Sequence, residues 1–248
     1  RTQQRLMDTW VGVARGATES CIAAGVRRIL QPSAFVVLRP SGNGQTITEA
    51  SAPHSGPACS PYHRSKHRAD LEIARASAAG IEVTTLYPAV VLGEGDWSTG
   101  GSSAMIPIMA SGIPAYPDGV MAYADVRDVA RAYIAVDACP GASGRGFIVA
   151  GANLSYKELL SLGAQAAGKR KPYLRIGKMA VYTGYGIIKA VTALRLMRNL
   201  NITKQNLNSV LYGNRYSGEL LSRTCDFSYT PIDESINRIV GNYLKEKK

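Results

Sequence analysis

Through the first 150 residues, short apolar runs alternate with long helical ones, and this alternation constrains the fold more than any other feature. Residues 28–34 open on the apolar run Ile29-Leu30 and read as a strand. Ile81-Glu82-Val83-Thr84-Thr85-Leu86 is a strand by alternation and β-branching, and Arg145-Gly146-Phe147-Ile148-Val149-Ala150 is a third. Helical patterns at about 3–24, 61–79 and 126–138 flank and separate them. Strands that alternate with helices predict an α/β fold, because each helix carries the chain back across the sheet. Residues 93–120, rich in Gly, Ser and Pro, read as irregular. A further helix is expected over 155–167, with Ser155 and Glu158 spaced as a capping box, and a last amphipathic helix runs through Tyr243.

The second of these helices carries a chemical signature. In Ser60-Pro61-Tyr62-His63-Arg64-Ser65-Lys66, Tyr62 and Lys66 stand four residues apart, one turn along the same helix face. A phenol ordinarily titrates near ~10, and an adjacent ammonium is expected to hold it lower. A tyrosine tuned in this way can act as a general acid in carbonyl reduction or as a base in alcohol oxidation. His63 and His67 flank the pair and read as exposed helix residues. With three His in the chain and no Cys or carboxylate at ligand spacing, no metal site is expected.

The neighbours of this pair follow an order. Ser33 sits at a strand end, then comes the Tyr62–Lys66 helix, then a strand running into Tyr87-Pro88-Ala89-Val90-Val91-Leu92-Gly93-Glu94-Gly95-Asp96, then Ala124-Asp125-Val126-Arg127-Asp128-Val129-Ala130. The succession resembles the extended short-chain dehydrogenase/reductases of the NAD-dependent epimerase/dehydratase superfamily, in the dihydroflavonol reductase-like and aldehyde reductase-like branch. The resemblance implies an α/β fold made of the C-terminal part of a Rossmann-type doubly wound parallel sheet, plus a small, mostly helical substrate domain. It divides the chain into an incomplete Rossmann-type catalytic domain at 1–150 and a substrate-binding region at 151–248, interleaved with the first. It implies NADP or NAD as cofactor and Ser33, Tyr62 and Lys66 as the catalytic set. Ser33 would polarise a substrate carbonyl, Tyr62 would protonate it, and Lys66 would bind ribose hydroxyls. Pro88, Ala89, Val90 and Val91 would lie along the nicotinamide.

A dinucleotide fold also needs a glycine-rich turn after its first strand, followed about 20 residues later by a ribose-reading side chain. Neither is legible here. Gly12 and Gly16 lie inside a helical run, where they suggest close helix packing, and Ser41-Gly42-Asn43-Gly44 has loop composition. The expectation is a fragment of a longer enzyme, with a remnant unable to hold a dinucleotide normally as the alternative.

Charge is unevenly placed. Residues 1–150 carry 13 basic and 12 acidic side chains, whereas 151–248 carry 16 and 6. No acid occurs in 169–204, where Lys169, Arg170, Lys171, Arg175, Lys178, Lys189, Arg195, Arg198 and Lys204 lie. Lys189 and Arg195 interrupt the apolar run there, so it makes a poor membrane span. A basic, apolar-rich helix suits peripheral contact with anionic lipid, or a lid over a substrate pocket. Without aromatic interleaving, no nucleic-acid partner is expected. Cys21, Cys59, Cys139 and Cys225 lie far apart, which suits free thiols in the cytoplasm.

Ala89 and Val90 stand where sugar-nucleotide members of the family commonly carry Asn, which implies a less polar small-molecule carbonyl substrate, dihydroflavonol- or steroid-like. The resulting expectation is an NAD(P)-dependent reductase of an aldehyde or ketone. The alternatives are a nucleotide-sugar epimerase or dehydratase, and a non-catalytic protein acting at a membrane or with a partner. Family members often pair through the two helices that include the Tyr62 helix, so a homodimer is expected. Trp10, near where the family usually places Asn, has no functional account at this level.

Overall fold

A computed structural model describes residues 2–38, 45–51, 53, 59–95, 97, 101–184 and 211–247. They form two compact units. One comprises Arg1–Val91, Ala124–Gly151 and Tyr216–Thr230, and the other comprises Leu92–Tyr123, Ala152–Arg215 and Pro231–Lys248.

The first unit is built on a parallel sheet. Strand β1 (Arg28–Pro32) pairs with β2 (Glu82–Pro88), which pairs on its other side with β6 (Gly146–Val149). Parallel neighbours need crossovers. Helix α2 (Pro61–Ala78) makes the first and α4 (Val126–Ala138) lies on the second, while α1 (Thr2–Ala23) precedes β1. The helix boundaries follow local chemistry. Ser60 accepts the His63 N–H at 3.1 Å and Pro61 stands at the first turn of α2. Asp125 caps α4 by accepting from Arg127 N–H at 2.9 Å.

Successive residues of a strand face opposite sides, and this assigns the layers. Ile29 and Val83, paired across the sheet, pack with Ala14 of α1 and with Ala69 and Ile73 of α2. The next residue, Thr84, donates to the Ala142 carbonyl at 3.0 Å, just beyond α4. Helices α1 and α2 therefore cover one face, and the α4 side covers the other. In the first turn of α4, Asp128 is 1% exposed and accepts from Thr230 N–H at 2.8 Å and from Thr230 Oγ1 at 2.7 Å. Arg131 also donates to its carboxylate. The second acid of the Asp125-Val126-Arg127-Asp128 run thus ties the segment after α6 (Glu219–Cys225) to α4.

In the second unit, strand β5 (Val120–Asp125, of which Val120–Tyr123 belong here) pairs antiparallel with β7 (Ala152–Ser155). Helices α3 (Met105–Ala110), α5 (Tyr156–Ala166) and α7 (Ile232–Glu246) pack on one another. The capping box of α5 is present, with Ser155 accepting from Glu158 N–H and the Glu158 carboxylate accepting from Ser155 N–H at 2.7 Å. Helix α7 buries Ile236, Ile239, Val240 and Tyr243, at spacings of three and four. A two-stranded parallel pair joins β4 (Ala115–Tyr116) to β8 (Leu174–Arg175).

Two expectations require correction. Residues 93–120 are not uniformly irregular, since they hold α3 and β4, helix and strand pieces too short for sequence periodicity to mark. Gly12 and Gly16 do not mark close helix packing: a Cβ at either would meet nothing within 4 Å, and Ala14 and Thr18 are the buried positions among the described side chains of α1. Close packing occurs instead at Gly163 of α5, where a Cβ would lie 2.4 Å from the Met109 Cβ of α3. The basic segment is helical at 178–184, and its remainder through residue 204 lies outside the described residues. Among the described residues, no helix is long and apolar enough to cross a membrane.

Candidate active site

All three strands of the parallel sheet run the same way, so their carboxyl ends share one edge. In open α/β sheets that edge is where ligands are held. Strand β1 ends at Pro32, leading into Ser33, whose N–H donates to the Leu86 carbonyl at 2.9 Å. Strand β2 ends at Pro88, and Ala89 N–H donates to the Val149 carbonyl of β6 at 2.9 Å. The short strand β3 (Val90–Leu92) follows, with Ala89 buried and Val90 and Val91 half-buried. Ser33 and the Pro88–Val91 turn thus stand at the same edge.

Helix α2 brings Tyr62 and Lys66 to the place where β1 ends. Lys66 is 6% exposed, and its ammonium donates to the Pro32 carbonyl at 3.0 Å. Its Nζ also lies 4.4 Å from the centroid of the Trp10 ring on α1, a cation–π distance. The same indole meets the Tyr62 ring edge-on at 6.5 Å. Trp10, unexplained by sequence, therefore bridges the two residues of the Tyr-Lys pair. Burial lowers the Lys66 pKa, and the nearby Asp70 carboxylate opposes that shift.

The electrostatics of Tyr62 depart from expectation. Burial first, and the charge of Asp70 second, push its phenol up rather than down. The Lys66 ammonium meets the Pro32 carbonyl and the Trp10 face, and Asp70 adds negative charge on the same helix. Tyr62 itself is 42% exposed, the accessible member of the set. His63 and His67 are half-buried rather than exposed, since α2 lies against the rest of the unit along much of its length.

Asp70, which sequence reasoning passed over, is the centre of the polar network. Ser33 Oγ donates to Asp70 Oδ2 at 2.6 Å, and Gln31 Nε2 donates to Oδ1 at 2.6 Å. Thr85 Oγ1 donates to Gln31 Oε1 at 3.2 Å. Burial raises the Asp70 pKa to about 6, against the lowering by the Ser33 hydroxyl, Lys66 and Gln31. Ile29 and Gln31 occupy one face of β1 and Ser33 follows just beyond its end, so the chain there changes from apolar to polar toward the ligand-holding edge. A signal was present in the sequence: Asp70 stands four residues beyond Lys66, on the same helix face as Lys66 and Tyr62.

The family model for NAD dependent epimerase/dehydratase proteins matches residues 2–149. The chain belongs to that family. Solved structures share its Rossmann-like α/β fold. UDP-glucose 4-epimerase of Thermotoga maritima, solved with UDP-glucose, is 16% identical with a TM-score of 0.75, over 99% of this chain and 72% of that one. Gre2 of Candida albicans, solved with NADPH, is 16% identical with a TM-score of 0.70, over 97% and 71%. The dTDP-glucose 4,6-dehydratase DesIV of Streptomyces venezuelae, solved with NAD, is 16% identical with a TM-score of 0.71, over 97% and 67%. At such identities the likeness is one of fold. No curated protein matches the chain at a significant level.

The donor set suits one end of a nicotinamide dinucleotide. An ammonium and a phenol beside a strand end can hydrogen-bond a ribose diol, and the apolar Ala89–Val91 turn can lie against a flat ring. The pyrophosphate end has no counterpart among the described residues: β1 leads into Ser33-Ala34 and a 3-10 turn at Phe35–Val37, not into a glycine-rich turn. No group of three His, Cys, Asp or Glu side chains suited to a metal ion occurs among the described residues.

Proposed function

We propose that this chain carries the catalytic centre of an NAD(P)-dependent carbonyl reductase, with Ser33, Tyr62 and Lys66 as the residues that act on substrate. The observation that supports it most is the convergence of Tyr62, Lys66 and the Ser33 strand end at the carboxyl edge of a parallel sheet. A nicotinamide cofactor, when bound, supplies hydride to the carbonyl carbon. Tyr62 donates its phenolic proton to the carbonyl oxygen. Its phenol, pushed up by burial and by Asp70, is protonated at neutral pH and so carries the proton that carbonyl reduction needs, although the upward shift makes it a weaker donor than an ordinary phenol. Lys66 binds ribose hydroxyls and supplies positive charge as the phenolate forms. Pro88, Ala89, Val90 and Val91 line the nicotinamide. The apolar Ala89 and Val90 favour a small-molecule aldehyde or ketone of low polarity as substrate.

Residues 1–150 would then form the catalytic part and 151–248 the main substrate-binding region. A homodimer through α1 and α2 is supported by Val13 and Leu71, which are 66% and 57% exposed on those helices. We place the protein in the cytoplasm. Peripheral membrane contact through 169–204 is a weaker proposal, because Arg175 is ion-paired with Asp118 at 2.7 Å and Lys178 lies 4.4 Å from the Tyr212 ring centroid. A nucleotide-sugar epimerase or dehydratase is the second reading, favoured by neighbours of those activities.

The test is Tyr62→Phe, assayed with NADPH and NADH against panels of aldehydes, ketones and nucleotide sugars. The expected result is carbonyl reduction by the wild type and a loss of about 10²–10⁴-fold in the variant, the usual contribution of a positioned general acid. Unchanged turnover in Tyr62→Phe would remove the assignment, and product formation from nucleotide sugars alone would favour the second reading.

A further inference from the structure

The Ser33 hydroxyl has one proton, and in this structure it is committed to a carboxylate. With Oγ donating to Asp70 Oδ2 at 2.6 Å, only the oxygen lone pairs of Ser33 remain to face a ligand. A substrate carbonyl is an acceptor and needs a donor, so Ser33 in this state cannot hydrogen-bond it. The arrangement suits an alcohol, whose O–H can donate to Ser33.

We propose that Asp70 is a positioning residue that sets which way the Ser33 hydroxyl points: ionised, it holds the Ser33 proton and makes Ser33 an acceptor toward the substrate; protonated, it donates to Ser33 Oγ and frees that proton for a substrate carbonyl. The inference rests on the reading of Ser33 as a substrate-binding residue. It assigns Asp70 no contact with substrate or cofactor.

The surroundings make such a change of state accessible. Asp70 is held between Ser33 and Gln31 of β1, and Gln31 is itself fixed by Thr85 of β2. The groups facing it are Lys66 and Tyr62 on its own helix and Tyr87 on β2, whose phenol is pushed up to about 12 by burial and then by the charge of Asp70. From α1 comes the uncharged Trp10, which covers Lys66, whereas Arg15 is taken up by Glu72 at 2.8 Å. Lys66 is thus the cation acting on Asp70, and its ammonium is shared with the Pro32 carbonyl. With Asp70 midway near about 6, both hydroxyl orientations are populated across the neutral range.

Two measurements on the full chain test this. In the first, protein labelled with ¹³C at the aspartate carboxyls is titrated by NMR, and the Asp70 signal is assigned by its absence in Asp70→Asn. Ser33→Ala should move the Asp70 midpoint upward, because a donor to the carboxylate has gone. An unmoved midpoint would overturn the proposal. In the second, initial rates of benzaldehyde reduction with NADPH are followed from about pH 5 to pH 7. A group with a midpoint of about 6 changes its protonated fraction by about tenfold over that interval, so the wild-type rate should fall about tenfold as pH rises. Asp70→Asn, whose amide donates to Ser33 at every pH, should lose that dependence, while a retained slope would overturn the proposal. Should the wild type reduce no carbonyl compound, the reading of its function falls, and the titration of Ser33→Ala still decides the coupling.

Discussion

Replacing Asp128 by alanine removes the acceptor that joins the Ser228–Thr230 segment to α4, and the cost can be worked from its partners. Oδ2 accepts from Thr230 N–H at 2.8 Å, Oδ1 accepts from Thr230 Oγ1 at 2.7 Å, and Arg131 donates to Oδ1 while also reaching the Ser228 carbonyl at 3.0 Å. Hydrogen bonds to a charged acceptor contribute about 1.5–3 kcal/mol each. The Arg131 pair is partly solvated and counts for at most about 1 kcal/mol. The two Thr230 bonds are not independent, so their sum is an upper bound, and a loss of about 3–4 kcal/mol is expected. For a chain of this size that lowers Tm by about 6–16 °C. Asp128→Asn keeps the shape but presents an NH2 group to at least one donor, so it should lose nearly as much. Thermal unfolding followed by circular dichroism is the assay, with Thr230→Ala as the second arm of a double-mutant cycle. A drop under about 2 °C for Asp128→Ala, or strict additivity with Thr230→Ala, would refute the claim that this acid fastens the segment.

Two glycines should respond in opposite ways. Gly163→Ala forces a methyl against Met109 and should destabilise by about 1–3 kcal/mol, whereas Gly12→Ala meets open space on an α-helix and should stabilise by about 0.5–1 kcal/mol, both read from urea unfolding. Asp70 predicts a pH-dependent stability with a definite sign. Its folded pKa of about 6 exceeds the ordinary aspartate value of 3.8, so its contribution is fully favourable below about 3.8 and is lost as pH rises through about 6. The stability of Asp70→Asn relative to wild type should therefore rise across that window, by at most about 3 kcal/mol, and a flat difference would contradict the burial of the ionised group. If residues 169–204 meet anionic lipid, phosphatidylserine vesicles should sediment the protein at low salt and release it at high salt, and no sedimentation at low salt would dismiss the contact.

Much of the architecture was legible because its determinants are local. The long helices α1, α2, α4 and α5 announce themselves by periodicity and caps, as Ser60-Pro61 and Ser155 with Glu158 show. Strand β2 follows from β-branching within one short window. The pieces that escaped, α3, α6, β3, β4, β5, β7 and β8, have two to seven residues, too few for a period to establish itself. Leu154, for instance, reads as helix entry beside Ser155 but lies in a strand paired with Met121.

The candidate site divides along the same line. Tyr62 and Lys66 share a helix face by spacing alone, and Ser33 and Ala89 reach the ligand-holding edge once their strands are known to be parallel. What the local sequence determined was which side chains could stand together on one element. Tertiary structure decided the partners: Trp10 over Lys66, Asp70 with Ser33 across 37 residues, Asp128 with Thr230 across 102, and Glu49 with the Ile148 N–H across 99. These contacts depend on how helices lie across a sheet, which is set by burial of the whole apolar face and leaves no pattern in any window of chain. The same packing reversed the expected shift of Tyr62: burial first and the Asp70 charge second push its phenol up, while the Lys66 ammonium is held by the Pro32 carbonyl and the Trp10 ring.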